Sequence, residues 1–363
     1  MISADVAIIG AGIAGASLAA EIAAHARVVL IEAESQPGYH STGRSAAFWS
    51  ETYGGPAVQP LTTASGPWLR AGGFLNPRGA LHVAGPGGGP ALDAMAATFA
   101  DSEVLLDPVD RHGLEKAIPG LRLGYERGLA EPSCADIDVA ALHAFYLKAA
   151  AKQGAALLCD AELLAVSRPG RWRLETRAGI VEADILVNAA GAWASAVAAT
   201  AGAAAIPVTP YRRTIVQLVV DPPPLPTLPL VIDAEERFYF KPEAGGRLWL
   251  SPHDETPVEP CDAAPEELDV AVAIDRLEKL VDWRIVRREH AWAGLRSFAP
   301  DRVPVYGFDP ALPGFFWFAG QGGFGIQTAP AAAMIGAALL LGRAMPEMVR
   351  GIDAERYAPG RFL

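Results

Sequence analysis

Gly10-Ala11-Gly12-Ile13-Ala14-Gly15 reads G-x-G-x-x-G, and the chemistry such a run supports is the seating of a pyrophosphate. Gly10 permits a tight turn. Gly12 lets the backbone approach the phosphates. Gly15 lets the following helix pack close to the strand. The N–H groups at the helix start attract anionic oxygens, and Ile13 and Ala14 in the turn are expected at the same ligand. Glu32 and Ala33 end the next apolar run, where a carboxylate accepts bonds from ribose hydroxyls and disfavours a 2′-phosphate. A dinucleotide is the expected ligand.

The same chemistry recurs near the other end. Gly320-Gln321-Gly322-Gly323-Phe324-Gly325 is a second glycine loop between a strand and a helix. Loops of this kind let backbone N–H groups face the edge of a cofactor ring. The chain also returns to buried-strand character at Ile185–Gly191 and at Phe316–Gly325, far beyond the first motif. An NAD enzyme usually completes its nucleotide sheet sooner, so FAD is the expected dinucleotide.

The elements that must position these loops follow from periodicity and breakers. Asp5–Ile9, Ala16–Ala24 and Val28–Ile31 read as a βαβ unit with a parallel sheet. Asp138 reads as the N-cap of a helix to about Lys152. Arg171–Thr176 and Ile180–Glu182 read as a hairpin, and Phe315–Ala319 as a strand before a helix at Thr328–Leu341. Thr214–Val220, Leu228–Ile232, Phe238–Phe240 and Leu248–Leu250 read as an antiparallel sheet, and Pro265–Leu280 as a helix. The stretch Leu81–Val109, rich in Gly, Ala and Pro, yields no assignment. The expected fold class is α/β: a Rossmann-type FAD-binding domain with an inserted α+β substrate domain on a mixed, largely antiparallel sheet. The expected segments are 1–80, 136–208 and 300–363 for the first, and 81–135 and 209–299 for the second.

Composition excludes several alternatives. The 363 residues are 51% hydrophobic, enough for a large core. A net charge of −11 repels phosphate backbones, so no nucleic-acid partner is expected. Cys134, Cys159 and Cys261 form no C-x-x-C pair, and no metal site is expected. The longest apolar helix is too short for an integral membrane segment. The expected location is cytoplasmic, with peripheral contact at the inner membrane left open.

Taken together, these motifs resemble the D-amino acid oxidase and glycine oxidase superfamily of FAD enzymes. Within it the pattern looks most like the bacterial D-arginine dehydrogenases. The resemblance rests on Ile9–Ser17, Gln36–Ala47 (QPGYHSTGRSAA), Ala135–Asp138, Leu186–Trp193, Trp292–Phe298 and Gln321–Thr328. It implies non-covalent FAD. Ser41, Thr42, Arg44, Ser45 and Ala46 would lie along the flavin and pyrophosphate, with Ala190, Gly191 and Gly294 nearby. The loop Gly322, Gly323, Phe324, Gly325, Ile326, Gln327 and Thr328 would face the ring. His40 lies beside this segment, where a covalent link is the less favoured alternative.

An amino-acid substrate carries a carboxylate that must be paired in a dry site, preferably by the planar fork of arginine. Arg296 matches the family's carboxylate-binding arginine. Arg213 is the expected second, although strand alternation alone leaves Arg212 open. Tyr53 and Tyr239 match positions that bond the substrate, and Gln327 and the Gly323 carbonyl match groups near its amine. His253 and Asp254 are expected in a surface turn. The implied reaction moves a hydride from Cα to flavin N5, with orientation supplying most of the effect. The imino acid then hydrolyses to a 2-oxo acid and ammonia.

Two departures redirect the substrate. Phe48 stands where D-arginine dehydrogenase has histidine, and Ala80 stands where that enzyme has a glutamate for the guanidinium. Without that carboxylate a cationic side chain loses its partner, so a neutral, apolar D-amino acid is expected. The rivals are oxidation of glycine, sarcosine or another secondary amine, and a non-catalytic flavin-binding subunit. The electron acceptor, a quinone or oxygen, is left open.

Overall fold

Val6–Ile9 and Val28–Ile31 pair in parallel, and the helix Ile13–Ile22 crosses between them. In the computed structural model, which describes residues 1–203 and 206–362, this unit is the centre of a six-stranded sheet. Ala204, Ala205 and Leu363, within segments assigned above to the FAD-binding part, lie outside the described residues. Ala156–Leu158, Ile185–Asn188 and Phe315–Ala319 extend the sheet in parallel, and Val305–Phe308 closes it antiparallel.

Alternation along the central strand explains why this sheet is buried on both faces. Val6 and Ile8 join one core with Leu18, Ile22, Phe316, Phe318 and Ile335. Ala7 and Ile9 join the opposite core with Trp172, Leu174, Leu186, Phe315 and Trp317. Helices Ile13–Ile22 and Ala329–Leu341 cover the first face. The second face meets a four-stranded sheet that contains the hairpin Trp172–Thr176 and Gly179–Ala183.

The second large sheet is mixed and largely antiparallel. Its two longest strands, Thr209–Asp221 and Arg284–Phe298, run side by side along most of their length. Its single parallel pair joins Leu230–Asp233 to Ala80–Val83. Glu267–Leu280 packs on its apolar face through Val270, Ala273 and Leu277. The unassigned stretch therefore supplies a strand, a helix at Gly89–Phe99 and an edge strand at Asp107–Asp110. The strand Ala80–Val83 pairs with Arg127–Glu131 and with Leu230–Asp233, far along the chain, so no local pattern marks it.

Local signals held where they were local. Asp138 accepts from Ala141 N–H at 2.9 Å and caps Val139–Lys152. The first helix begins at Ile13 rather than Ala16, because the glycine turn passes straight into it. The C-terminal glycine loop does more than turn. Gln321–Gly322 pairs with Ser297–Phe298 and so ties the two sheets together beside Arg296. No helix among the described residues is long and apolar enough to cross a membrane.

Candidate cofactor cleft and active site

A cleft of about 620 Å³ runs along the carboxyl ends of the parallel strands, where α/β sheets bind ligands. Three glycines shape its middle. Gly10 has φ +97°, and a β-carbon there would lie 2.5 Å from the Ala189 carbonyl oxygen. A β-carbon on Gly15 would lie 1.9 Å from the Gly10 oxygen. Gly12 faces Thr42, whose Oγ1 accepts from Ile13 N–H at 3.0 Å. One N–H of the helix start is thus taken by a side chain, and Ala14 next to it lines the cleft.

The acidic end is equally constrained. Glu32 Oε2 accepts from Ala11 N–H at 2.9 Å and Oε1 from Glu34 N–H at 3.1 Å. His143, on the helix Val139–Lys152, donates from Nε2 to the Ala11 carbonyl at 2.8 Å. Burial pulls its pKa below the usual imidazole value, so it stays a neutral donor behind the loop. The cradle that added β-carbons would fill, with an acid at the ribose position, fits FAD.

At the opposite end the cleft reaches Arg296. This guanidinium is 6% exposed and has no hydrogen-bond or ion-pair partner among the described residues. Burial lowers its pKa, and the Arg213 charge adds to that, while Tyr53, Tyr239 and Asp254 oppose it. Arg213, on the neighbouring strand, is 1% exposed. Its Nε donates to the Asp254 carbonyl at 2.9 Å and its Nη2 to Glu255 at 2.9 Å, while Nη1 is buried without a partner. Arg212 points to the other face, onto Glu266 and Asp269 at 3.0 and 2.9 Å. Phe48 meets Tyr53 in a tilted contact and Tyr239 edge-on beside the pair, with ring centroids 5.2 and 5.6 Å apart.

A family model described as FAD dependent oxidoreductase, DAO, matches residues 5–339. The chain belongs to the DAO family of FAD-dependent oxidoreductases. Glycine oxidase of Pseudomonas aeruginosa is 27% identical, with 98% of each chain covered. Hydrogen cyanide synthase subunit HcnC of the same organism is 28% identical over 70% of this chain, which spans only 59% of that protein. The crystal structure of glycine oxidase from Geobacillus kaustophilus superposes with a TM-score of 0.85 at 23% identity, covering 99% of this chain and 98% of that one.

Within this DAO-family fold, the cleft brings together Gly10, Gly12, Ile13, Ala14, Glu32, Ala33, Ser41, Thr42 and Ser45. Ala190, Gly191, Arg296, Gly322, Gly323, Gly325 and Ile326 join them. Seven residues expected at the cofactor do not line it. Gly15 lies behind the loop. Arg44 turns outward, paired with Asp262 and donating to the Ala263 carbonyl at 2.9 Å. Ala46 is buried in an apolar cluster with Ile215 and Tyr239. Gly294 lies under Arg296, whose Nη1 would be 3.1 Å from a β-carbon there. Phe324 packs on Val58 and Phe298. Thr328 spends its hydroxyl on the Phe324 carbonyl at 2.8 Å.

Gln327 is the seventh. Its Oε1 accepts from Ser50 N–H at 3.2 Å, and its Nε2 donates to the Tyr53 carbonyl at 3.2 Å and to Thr62 Oγ1 at 2.9 Å. Every polar group of the amide is engaged with the protein, and none faces the cleft. His253 is not a loose surface residue either. Its ring lies 5.7 Å from Tyr239 and its Nδ1 bonds the Glu236 carbonyl.

The cleft also has walls that sequence reading missed. Ala161, Glu162, Leu163 and Arg177 arrive from the four-stranded sheet, and Trp193 and Thr200 from the helix after Asn188. Nothing in their types announces this. Glu34 was readable, since it pairs with His40 at 2.9 Å within the polar stretch after Glu32.

Proposed function

We propose that this DAO-family protein oxidises the Cα–N bond of a small D-amino acid with a neutral, apolar side chain, releasing a 2-oxo acid and ammonia after hydrolysis of the imine. One observation carries the reading: Arg296 is buried with no hydrogen-bond or ion-pair partner among the described residues, next to an Arg213 whose Nη1 has no partner. A buried cation left open costs stability, and an anionic ligand group offsets that cost. The carboxylate of a zwitterion suits it. Tyr53 and Tyr239 border the same space, and the Gly323 carbonyl is the acceptor offered to the amine.

Bound FAD supplies the two-electron acceptor for the α-hydrogen. This chain's own residues fix the direction of approach: Arg296 and Arg213 hold the acid end, and the phenol groups limit its rotation. Phe48, Ala80, Ile215, Leu230 and Trp292 form a largely apolar wall behind Tyr239. Beside it, Glu131 is already committed to Ser50, Glu51 and Thr52. No open carboxylate among the described residues of that wall is left for a cationic side chain.

The likeness to glycine oxidase over 98% of both chains supports a second reading, oxidation of glycine or sarcosine with the same clamp. Anaerobic mixing of the holoenzyme with D- and L-amino acids, glycine and sarcosine separates the readings. Fastest loss of flavin absorbance with D-Leu, D-Met or D-Phe is expected. Glycine or sarcosine in front would favour the second reading, and D-Arg or D-Lys in front would contradict the apolar preference. Bleaching by none of them would leave a flavin-binding subunit. Admitting oxygen or a quinone afterwards identifies the acceptor.

A further inference from the structure

Three consecutive residues, Ser50, Glu51 and Thr52, all donate to one carboxylate. Ser50 Oγ and Thr52 Oγ1 reach Glu131 Oε2 at 3.0 and 2.7 Å, and Glu51 N–H reaches Oε1 at 2.6 Å. His82 Nε2 lies 3.3 Å from the same Oε2. Glu131 is 0% and His82 2% exposed, and neither lines the cleft. Burial pushes the Glu131 carboxyl up, but the bonds and charge from His82, Thr52 and Glu51 more than offset this. It is therefore an acceptor-only group, and each donor in the segment has a use for it.

The place of this carboxylate in the fold is informative. Glu131 ends the strand Arg127–Glu131, directly across from Ala80. Cross-strand partners share one face of a sheet, and the small Ala80 side chain leaves that face to Glu131. The segment it grips is held from the other side by Gln327, which takes Ser50 N–H and the Tyr53 carbonyl. Between these two grips Tyr53 leaves the segment with its ring against Phe48 and Phe324. Burying a carboxylate is costly, and an apolar side chain of similar volume would avoid that cost, so a wholly buried one wired to a single segment points to a geometric task.

We infer that Glu131 is a positioning residue, whose carboxylate fixes Ser50–Thr52 so that the Tyr53 hydroxyl stays over Gly323 and beside Arg296. The inference rests on the amino-acid oxidation proposed above only for the use Tyr53 is put to.

A double-mutant cycle with Glu131→Gln and Tyr53→Phe in the FAD-loaded protein tests it. Glutamine has one acceptor oxygen where three donors need two. Expected is a fall in kcat/KM of about tenfold or more, carried mainly by KM, with FAD content retained. In the Tyr53→Phe background the same change should cost under about twofold, because the group it positions is gone. Equal losses in both backgrounds, or an unmoved KM, overturn the inference. If Glu131→Gln does not fold, Thr52→Val removes one donor and keeps the carboxylate paired, and the same non-additivity is expected at about threefold. Crystals of a folded Glu131→Gln or Thr52→Val holoenzyme read the positioning without any substrate. A Tyr53 hydroxyl moved off Gly323 supports it, and an unmoved one overturns it. A wild type that oxidises no amino acid instead takes down the functional proposal, which that crystal comparison leaves separate.

Discussion

The Tyr53 hydroxyl rests on the α-carbon of Gly323: a β-carbon built at Gly323 would lie 2.1 Å from it. Glycine is required here for close approach, since the backbone at 323 is not in the left-handed region. The loop facing the cleft and the segment facing the arginines therefore meet at one atom.

Gly323→Ala should displace the Tyr53 ring, because Phe48 and Phe324 prevent it from yielding in place. A fall in kcat/KM of about tenfold or more is expected, with FAD binding retained, as read by stopped-flow flavin reduction and by titration. Full activity with normal KM would show that the hydroxyl has no part in the site.

Arg296→Met should separate function from stability. Removing a buried cation that has no partner relieves a desolvation cost, so the Tm of the flavin-free protein should hold or rise. Amino-acid oxidation should fall about a hundredfold or more, since the carboxylate loses its charge-assisted bonds. Arg213→Met should behave differently. It leaves the Asp254 carbonyl and part of the Glu255 charge without a donor, and its Tm should drop. Calorimetry of both variants decides the matter, and a large Tm loss for Arg296→Met would mean that a protein acceptor holds it.

These contrasts mark where the sequence was legible. The G-x-G-x-x-G turn, Glu32 and the Asp138 cap act within one or two adjoining elements, and local spacing reveals them. Strand alternation left Arg212 and Arg213 as candidates for the second cation, and only the partners, Asp269 for Arg212 and Asp254 with Glu255 for Arg213, show which face each one takes. The direction in which Gln327 points was not legible, because its partners Ser50, Tyr53 and Thr62 are some 265 or more positions away. Glu131 gave no signal for the same reason. A motif indicates that a residue matters, while a tertiary hydrogen bond decides which way it faces.

Acid should destabilise the fold through His253. Burial, reinforced by the Arg213 charge, pulls its pKa down to about 3. Unfolded, it titrates near 6.5, so between those values the unfolded chain binds a proton that the folded chain does not. Stability from this group is complete above about pH 6.5 and drains away as the pH falls, by up to about 1.4 kcal/mol per unit. His143, also lowered by burial, acts in the same direction. His253→Gln removes one of these protons. The stability gap between wild type and variant, measured by urea unfolding, should shrink by roughly 2 kcal/mol between pH 7 and pH 5. A constant gap would mean that His253 is solvated and titrates normally.

Glu32 should govern cofactor affinity more than its single charge suggests. Its two oxygens already accept from Ala11 and Glu34 N–H groups, and their remaining lone pairs are what the cleft offers to a ribose. Glu32→Gln keeps size and shape but replaces one acceptor with a donor. Either the Ala11 or the Glu34 N–H then faces an NH₂ group, and the glycine turn carrying Ala11 must shift. Because His143 holds the Ala11 carbonyl from the other side at 2.8 Å, that shift cannot be absorbed quietly. The Kd for FAD, read by fluorescence quenching on titrating flavin-free protein, should rise about ten- to a hundredfold. A Kd within about twofold of wild type would show that Glu32 serves only the turn and not the ligand.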